Sequence, residues 1–373
     1  MIKYYFRGVS KASLSFLIAS AVAVAAVLSP YAAAAQEKVT LLFTSNLGGN
    51  FNLDLNNQEK TDPVLLAGQS ILHEADKGNG IFLDLGNAFY PGVISKYSYG
   101  AAMMDFFTFF NCKGSLVSSL DLRLGVESLE FLQKQSGTRL LSANITREGA
   151  PVFNPYFIEK IKNRTVAFVG LSSKKVLFDI AEKQVLGVAV ADEKEVMKKT
   201  IAELKEKSVS NIILLSGLEY QENMELLNTF EEIDCIITGG DNKGKALGGQ
   251  IVRIDTDDGR TIVTVPPWKG YCLVSLILDK KGKVADVDFR PVLHHHTDNP
   301  KYKNFLNRIT LWKNQFLQES GKEIVNTGDK KLVIDLDHVA NFLRGRYGAE
   351  VALMGKDAVN PMTKEGGINY IDL

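Results

Sequence analysis

The chain has 373 residues, with 43 basic and 43 acidic side chains and a formal net charge of zero at pH 7. No block of Lys and Arg stands out, so nothing in the charge pattern points to nucleic acid or to an anionic membrane surface. Three cysteines, Cys112, Cys235 and Cys272, are an odd number without metal-ligand spacing. Cys235 and Cys272 sit in strand-like apolar runs and read as small buried hydrophobes, with a disulfide between them open but unforced.

Lys3, Arg7 and Lys11 precede an uncharged, mostly apolar run from Ala12 to Leu28, and Ala33-Ala34-Ala35 closes it with small residues. That three-part pattern predicts a signal peptide over 1–35, cleaved near Ala35-Gln36, and a periplasmic or secreted destination. The competing reading is an uncleaved anchor, since a spanning helix needs about 18 apolar residues. Removal of residues 1–35 leaves 40 basic against 43 acidic side chains, a net charge of −3. The remaining chain, about 338 residues, is long for one domain and predicts one large or two unequal ones.

Strands and helices then alternate. Strands are expected at Val39 to Thr44, Ile81 to Leu85, Arg139 to Ala143, Thr165 to Gly170, Asn211 to Leu215 and Asp234 to Thr238. Helices are expected at Pro63 to Ala75, Tyr99 to Phe110, Val126 to Gln135, Glu193 to Lys207 and Glu222 to Phe230. From Gly249 the pattern changes to hairpins, one around Asp258-Gly259 and one pairing Gly270 to Leu278 with Val284 to Val292. A helix follows at Pro300 to Glu319, where Phe305, Leu306, Ile309, Trp312 and Phe316 recur at helical spacing and predict firm docking. The order predicts an α/β fold, layered, with continuous apolar strands covered by helices.

The phrases LLFTSNLGGNF, GIFLDLGNAFYPG, LLSANITREGAPVFNPYFIEKI, VAFVGLSS, NIILLSGLEY and IDCIITGGDNKG, in this order, resemble the secreted 5′-nucleotidases. The likeness runs from about Val39 to Val292, and Ser142-Ala143-Asn144 followed by a Pro-Tyr pair and Val-Gly-Leu is its most specific part. It implies a metallophosphoesterase-like β-sandwich flanked by helices over 36–297, a linker helix over 298–329, and a short truncated start of the family's C-terminal domain over 330–373.

That family holds two divalent metal ions with carboxylate and imidazole ligands, which clamp a phosphate and activate a water. Where the family has Asp-x-His, this chain has Asn46-Leu47-Gly48, and Gly-Asp becomes Gly86-Asn87. The Gly-Asn-His-Asp/Glu turn aligns with Ser118-Ser119-Leu120-Asp121. The lone His becomes Gly217, and Gly-His-x-His becomes Gly239-Gly240-Asp241-Asn242. The vestigial pocket positions are therefore Asn46, Gly48, Asn87, Ser119, Leu120, Gly217, Gly240 and Asn242, with no catalytic residue, no metal ligand and no cofactor expected. Two readings of the amides stay open: turn caps, or with Asp121 and Asp241 a reduced single-ion site. His294-His295-His296 likewise reads as a solvated joint or, with Asp298, as a two-His ion site.

In the tail, HVANFLRGRYGAEVALMGKDAVNPMTKEGGINYIDL resembles the opening of the family's nucleoside-binding domain, with a helix around Val339 to Arg346 and a strand at Glu350 to Met354. The family's Gly-Gly-Ile-Arg is replaced by Lys356-Asp357-Ala358-Val359, so the arginine is absent. An early stop and an evolved short form are both compatible with this. The sequence thus points to an exported 5′-nucleotidase-like binding or scaffold protein for an unknown small molecule or protein. The alternative is a metal-dependent nucleotidase with atypical ligands. Limited proteolysis should cut first between about Gln318 and Lys331 and leave the α/β part intact. A tail that resists as long as the rest would make it integral to the fold.

Overall fold

The computed structural model describes residues 37–53, 62–78, 80–161, 163–178, 180, 185–239, 252–256, 258–265, 271–279, 283–292, 299–320, 323–326, 332–334, 362–364 and 367–369. The first strands in chain order are β1 (Glu37–Thr44), β2 (Ile81–Asp84), β3 (Gly114–Leu116), β4 (Arg139–Leu141), β5 (Ile145–Arg147) and β6 (Ala150–Pro151). They are followed by β7 (Tyr156–Ile161), β8 (Arg164–Leu171), β9 (Val188–Val190), β10 (Asn211–Ser216), β11 (Ile233–Thr238), β12 (Val252–Asp255), β13 (Thr261–Thr264), β14 (Tyr271–Leu278) and β15 (Val284–Val292). The helices are α1 (Pro63–Asp76), α2 (Val93–Tyr97), α3 (Ala101–Phe109), α4 (Ser119–Leu122), α5 (Val126–Gln135), α6 (Glu193–Glu206), α7 (Tyr220–Thr229) and α8 (Pro300–Ser320).

Two six-stranded sheets, ordered β15-β14-β1-β2-β3-β4 and β12-β13-β11-β10-β8-β7, face each other. Strands β1 to β4 run parallel, as do β8, β10, β11 and β13, while the hairpins add antiparallel edges. Alternate residues fill alternate layers. Leu41, Phe43, Leu83, Phe168, Ile213, Leu215 and Ile237 pack between the sheets. Leu42 and Phe82 point the other way, into α1 and α3, and Ile212, Leu214 and Ile236 into α6 and α7. Both faces of these strands are dry, which is why they read as unbroken apolar runs. The expected layered sandwich flanked by helices is the architecture found.

Local departures have local causes. The helix expected over Tyr99 to Phe110 is α3, which starts only at Ala101 because Gly100 takes a left-handed φ of 87° before it; the short α2 was not expected. Helix α7 starts at Tyr220 and not Glu222, since the Glu222 carboxylate accepts from the Glu219 N–H at 2.8 Å and anchors an earlier turn. Strand β7 was not expected; it pairs antiparallel with β8, and Phe157 stacks on Phe168 at 5.0 Å. All three cysteines are buried and free, so the hydrophobe reading holds and the disulfide does not form.

Helix α8 docks through the residues its spacing singles out. Phe305 and Ile309 are fully buried, and Phe305 meets the rings of Phe106, Phe109 and Phe110 at 5.7, 5.5 and 4.9 Å. Arg308 and Trp312 both donate to Asp105, at 2.8 and 2.9 Å. Among the described residues no helix is long and apolar enough to cross a membrane. In the tail, 323–326 pairs antiparallel with 367–369 and 332–334 with 362–364. The expected signal peptide, His294-His295-His296, and the tail's helix and strand lie outside the described residues.

Phe168 is 0% exposed between the sheets, whereas Phe131 on α5 is 63% exposed. Phe168→Ala should therefore cost about 3–5 kcal/mol in urea unfolding, and Phe131→Ala no more than about 0.5 kcal/mol.

Candidate functional site

In open parallel sheets, ligands bind beyond the carboxyl ends of the strands. Here the carboxyl ends of both sheets converge. A Cβ built on Gly239, after β11, would lie 2.6 Å from Leu85 Cβ and 2.9 Å from Ser45 Oγ, beyond β2 and β1. Gly217, after β10, donates its N–H to Leu171 O at 2.8 Å. The loops leaving β1 and β2 are knitted together by Asn46 N–H to Gly86 O (2.9 Å) and Gly48 N–H to Asn87 O (2.8 Å).

Asn46 and Asn87 occupy the left-handed region, with φ of 56° and 54°. Asn tolerates that region because its short amide bonds locally. The two amides bond each other: Asn87 Nδ2 donates to Asn46 Oδ1 at 3.0 Å. Asn87 Oδ1 accepts from Leu120 N–H at 3.0 Å, and Asn46 Nδ2 donates to Ser45 Oγ at 2.7 Å. Asn46, Gly48, Asn87 and Leu120 are thus brought together, with Ser119 on the same turn. Gly240, Asp241 and Asn242 lie outside the described residues.

Two buried carboxylates hold this arrangement from below. Asp121 accepts four backbone N–H groups, from Asn87 (2.9 Å), Ala88 (2.7 Å), Phe89 (3.0 Å) and Ser118 (3.0 Å). A carboxylate offers about four such positions, so Asp121 is saturated by the backbone. Three of those four donors lie in the 87–89 loop. Asp84 accepts from Thr44 Oγ1 (2.6 Å), Ser115 Oγ (2.8 Å) and Gly86 N–H (2.8 Å). Burial pushes Asp84 up to about 6 and Asp121 up to about 7, against the bonds that favour their ionised forms.

The Ser142-Ala143-Asn144 phrase forms a second buried knot. Asn144 Oδ1 accepts from Ser172 N–H, Asn144 Nδ2 donates to Ser172 O, both at 2.8 Å, and Ser172 Oγ donates to Val117 O at 2.7 Å. It ties the ends of β4 and β8 to the turn that leads into Ser119 and Leu120. At the rim, Lys96 and Arg123 both lie over the Tyr90 ring, at 5.6 and 5.7 Å from its centroid. Residue-by-residue reading of the sequence did not single out Asp84, Tyr90 or Arg123. An acid inside an apolar strand, in Leu83-Asp84-Leu85, was the available signal for the first.

Among the described residues, no group of three or more His, Cys, Asp or Glu side chains is placed to hold a metal ion. His73 lies on α1, and the other four histidines lie outside the described residues. A Cβ on Gly217 would come within 3.2 Å of Ser173 N, and one on Gly48, at φ 64°, within 2.8 Å of Asn50 Nδ2. At Gly48 the positive φ would in addition strain any other residue.

No family model matches the chain. It is 25% identical over 285 residues to a probable 5′-nucleotidase from Treponema pallidum, covering 68% of this chain and 46% of that protein. The chain therefore spans about half the length of the curated relative it matches. Among solved structures it is similar to a 5′-nucleotidase precursor from Thermus thermophilus, with a TM-score of 0.62 and 20% identity, covering 79% of this chain and 62% of that one. The calcineurin-like phosphoesterase YfkN from Bacillus subtilis gives a TM-score of 0.62 at 17% identity, over 76% of this chain and 99% of that one.

Asp84 and Asp121 hold protons more readily in the folded protein than in the unfolded chain, where both titrate near 3.8. The folded state therefore binds more protons through this window, and stability falls as pH rises towards about 7. Urea unfolding should show a more stable protein near pH 5 than near pH 8, and Asp84→Asn should reduce that slope below about pH 6. A flat profile between about pH 5 and pH 8 would show both carboxylates ionised throughout that range.

Proposed function

We propose, from the premise that this chain is a relative of the 5′-nucleotidases built on the calcineurin-like phosphoesterase fold, that it is an exported binding or scaffold protein without the two-metal reaction. The observation that carries this is the mutual engagement of the pocket amides. Asn46 Oδ1 is taken by Asn87 Nδ2, Asn87 Oδ1 by Leu120 N–H, and Asp121 by four backbone donors. Two adjacent divalent ions need several charged or imidazole ligands directed at them. The described residues do not fit that group. The rim instead carries cations, Lys96 and Arg123, around an aromatic ring, which suits a small molecule with anionic character.

Export rests on the N-terminal pattern of Lys3, Arg7 and Lys11, an apolar run and Ala33-Ala34-Ala35. A second reading, a metal-dependent phosphoric ester hydrolase with atypical ligands, is favoured by the name of the Treponema relative. Fold likeness by itself does not choose between them.

The purified protein should carry no stoichiometric Mn²⁺ or Zn²⁺ by elemental analysis. It should turn over neither nucleoside monophosphates, UDP-sugars nor aryl phosphates above buffer. Chelator-sensitive turnover, or about two equivalents of metal lost on Asn46→Ala or Asn87→Ala, would establish the second reading.

A further inference from the structure

The loop from Asn46 to Asn52 forms one wall of the pocket, and α8 reaches it by two separate chains of contact. The first is a buried ion pair. Lys313 Nζ lies 3.0 Å from Asp62 Oδ2, and both side chains are 0% exposed. Asp62 Oδ1 caps α1, accepting from Val64 and Leu65 N–H at 3.0 Å each. The oxygen that meets Lys313, Oδ2, also accepts the Asn52 N–H, at 2.8 Å. One carboxylate oxygen therefore carries both the helix contact and the far end of the pocket loop.

The second chain runs through α2. Phe316 packs edge-on against Tyr97, the last residue of α2, with ring centroids 5.5 Å apart. Gly92, just before α2, donates its N–H to Gly48 O at 2.6 Å, and a Cβ there would fall 1.8 Å from Gly49 O. A Cβ on Gly49 would in turn fall 2.3 Å from Ser95 Cβ. Backbone meets backbone at Gly92 and Gly48-Gly49, and the Ser95 side chain lies directly on Gly49, so α2 is in close contact with this part of the loop.

Lys313 stands on the apolar stripe of α8, eight residues after Phe305 and four after Ile309. An apolar side chain there would cost less desolvation, so the charge serves register more than stability. A slip of one turn would set Ile309 or Leu317 against Asp62 and strand its carboxylate. The seat of α8 is therefore all-or-none, the kind of element that converts a small displacement into a discrete one.

We infer that α8 is a control element for the pocket: it fixes the Asn46–Asn52 loop at both ends, and whatever displaces α8 releases that loop. The inference stands whether or not the pocket hydrolyses anything. Hydrogen exchange of the full chain tests it, with Lys313→Met compared with Tyr302→Phe, which removes a different α8 bond, from Gln69 Nε2 to Tyr302 Oη at 2.8 Å. In Lys313→Met the amides of residues 47–53 should exchange at least about tenfold faster, while those of β10 keep wild-type protection. Tyr302→Phe should leave residues 47–53 unchanged. Unchanged exchange at 47–53 in Lys313→Met, or acceleration of β10 in step with it, would overturn the inference. If Lys313→Met does not fold, Phe316→Ala, which removes the contact of α8 with Tyr97 and touches no loop residue, carries the same test, with faster exchange at residues 47–53 expected and unchanged exchange there overturning the inference.

Discussion

The pocket end of this molecule depends on two carboxylates that water does not reach. Asp84 and Asp121 are buried at the ends of adjacent strands and turns, and together they accept seven hydrogen bonds, five of them from backbone N–H groups. Backbone donors in a loop have no ladder to join, and each left unpaired in a dry site costs about 1–3 kcal/mol. By collecting the N–H groups of Asn87, Ala88 and Phe89 on one side chain, Asp121 makes that loop a fixed object. The left-handed turns at Asn46 and Asn87 then have a rigid base, and the two amides meet at hydrogen-bonding distance.

This explains how the strand ends of a phosphoesterase-like fold keep their shape. Ion-binding pockets are normally held open by the repulsion and solvation of unpaired acids, which an ion then relieves. Here the neutral amides satisfy each other, and the remaining acids satisfy the backbone. The Ser142, Asn144 and Ser172 knot does the same on the other sheet, joining β4, β8 and Val117 through side-chain and backbone bonds. The cationic rim around Tyr90 gives the pocket a sign opposite to that of a two-metal carboxylate cage before loading.

The burial of Lys313 against Asp62 differs in kind from the surface pairs around Lys174, Lys175 and Lys194, whose lysine side chains are 43–64% exposed. Exposed pairs contribute about 0–1 kcal/mol and tolerate change. A fully dry pair is costly to break and discriminates sharply between correct and shifted packing. That contrast separates the part of α8 that specifies position from the charged faces that supply solubility.

Sequence by itself determined the layers of this protein. Apolar strands of five or six residues alternating with amphipathic helices leave few ways to bury both faces, and the Asp258-Gly259 hairpin and the α8 stripe are set by local chemistry. It also determined which residue types stand near the strand ends, since Asn46, Gly48, Asn87 and Gly217 all lie within four residues of the last residue of their strands. Tertiary structure decided what those residues bond. Whether Asp121 faces an ion or three consecutive N–H groups depends on a loop 32 to 34 residues away in the chain. Whether Lys313 is a solvated charge or a buried pin depends on Asp62, 251 residues away. Lys313 breaking the apolar stripe, and Asp62 before Pro63, were visible signs that each had a role. Their pairing was not, because periodicity records which face of an element is dry and carries no record of what lies across from it.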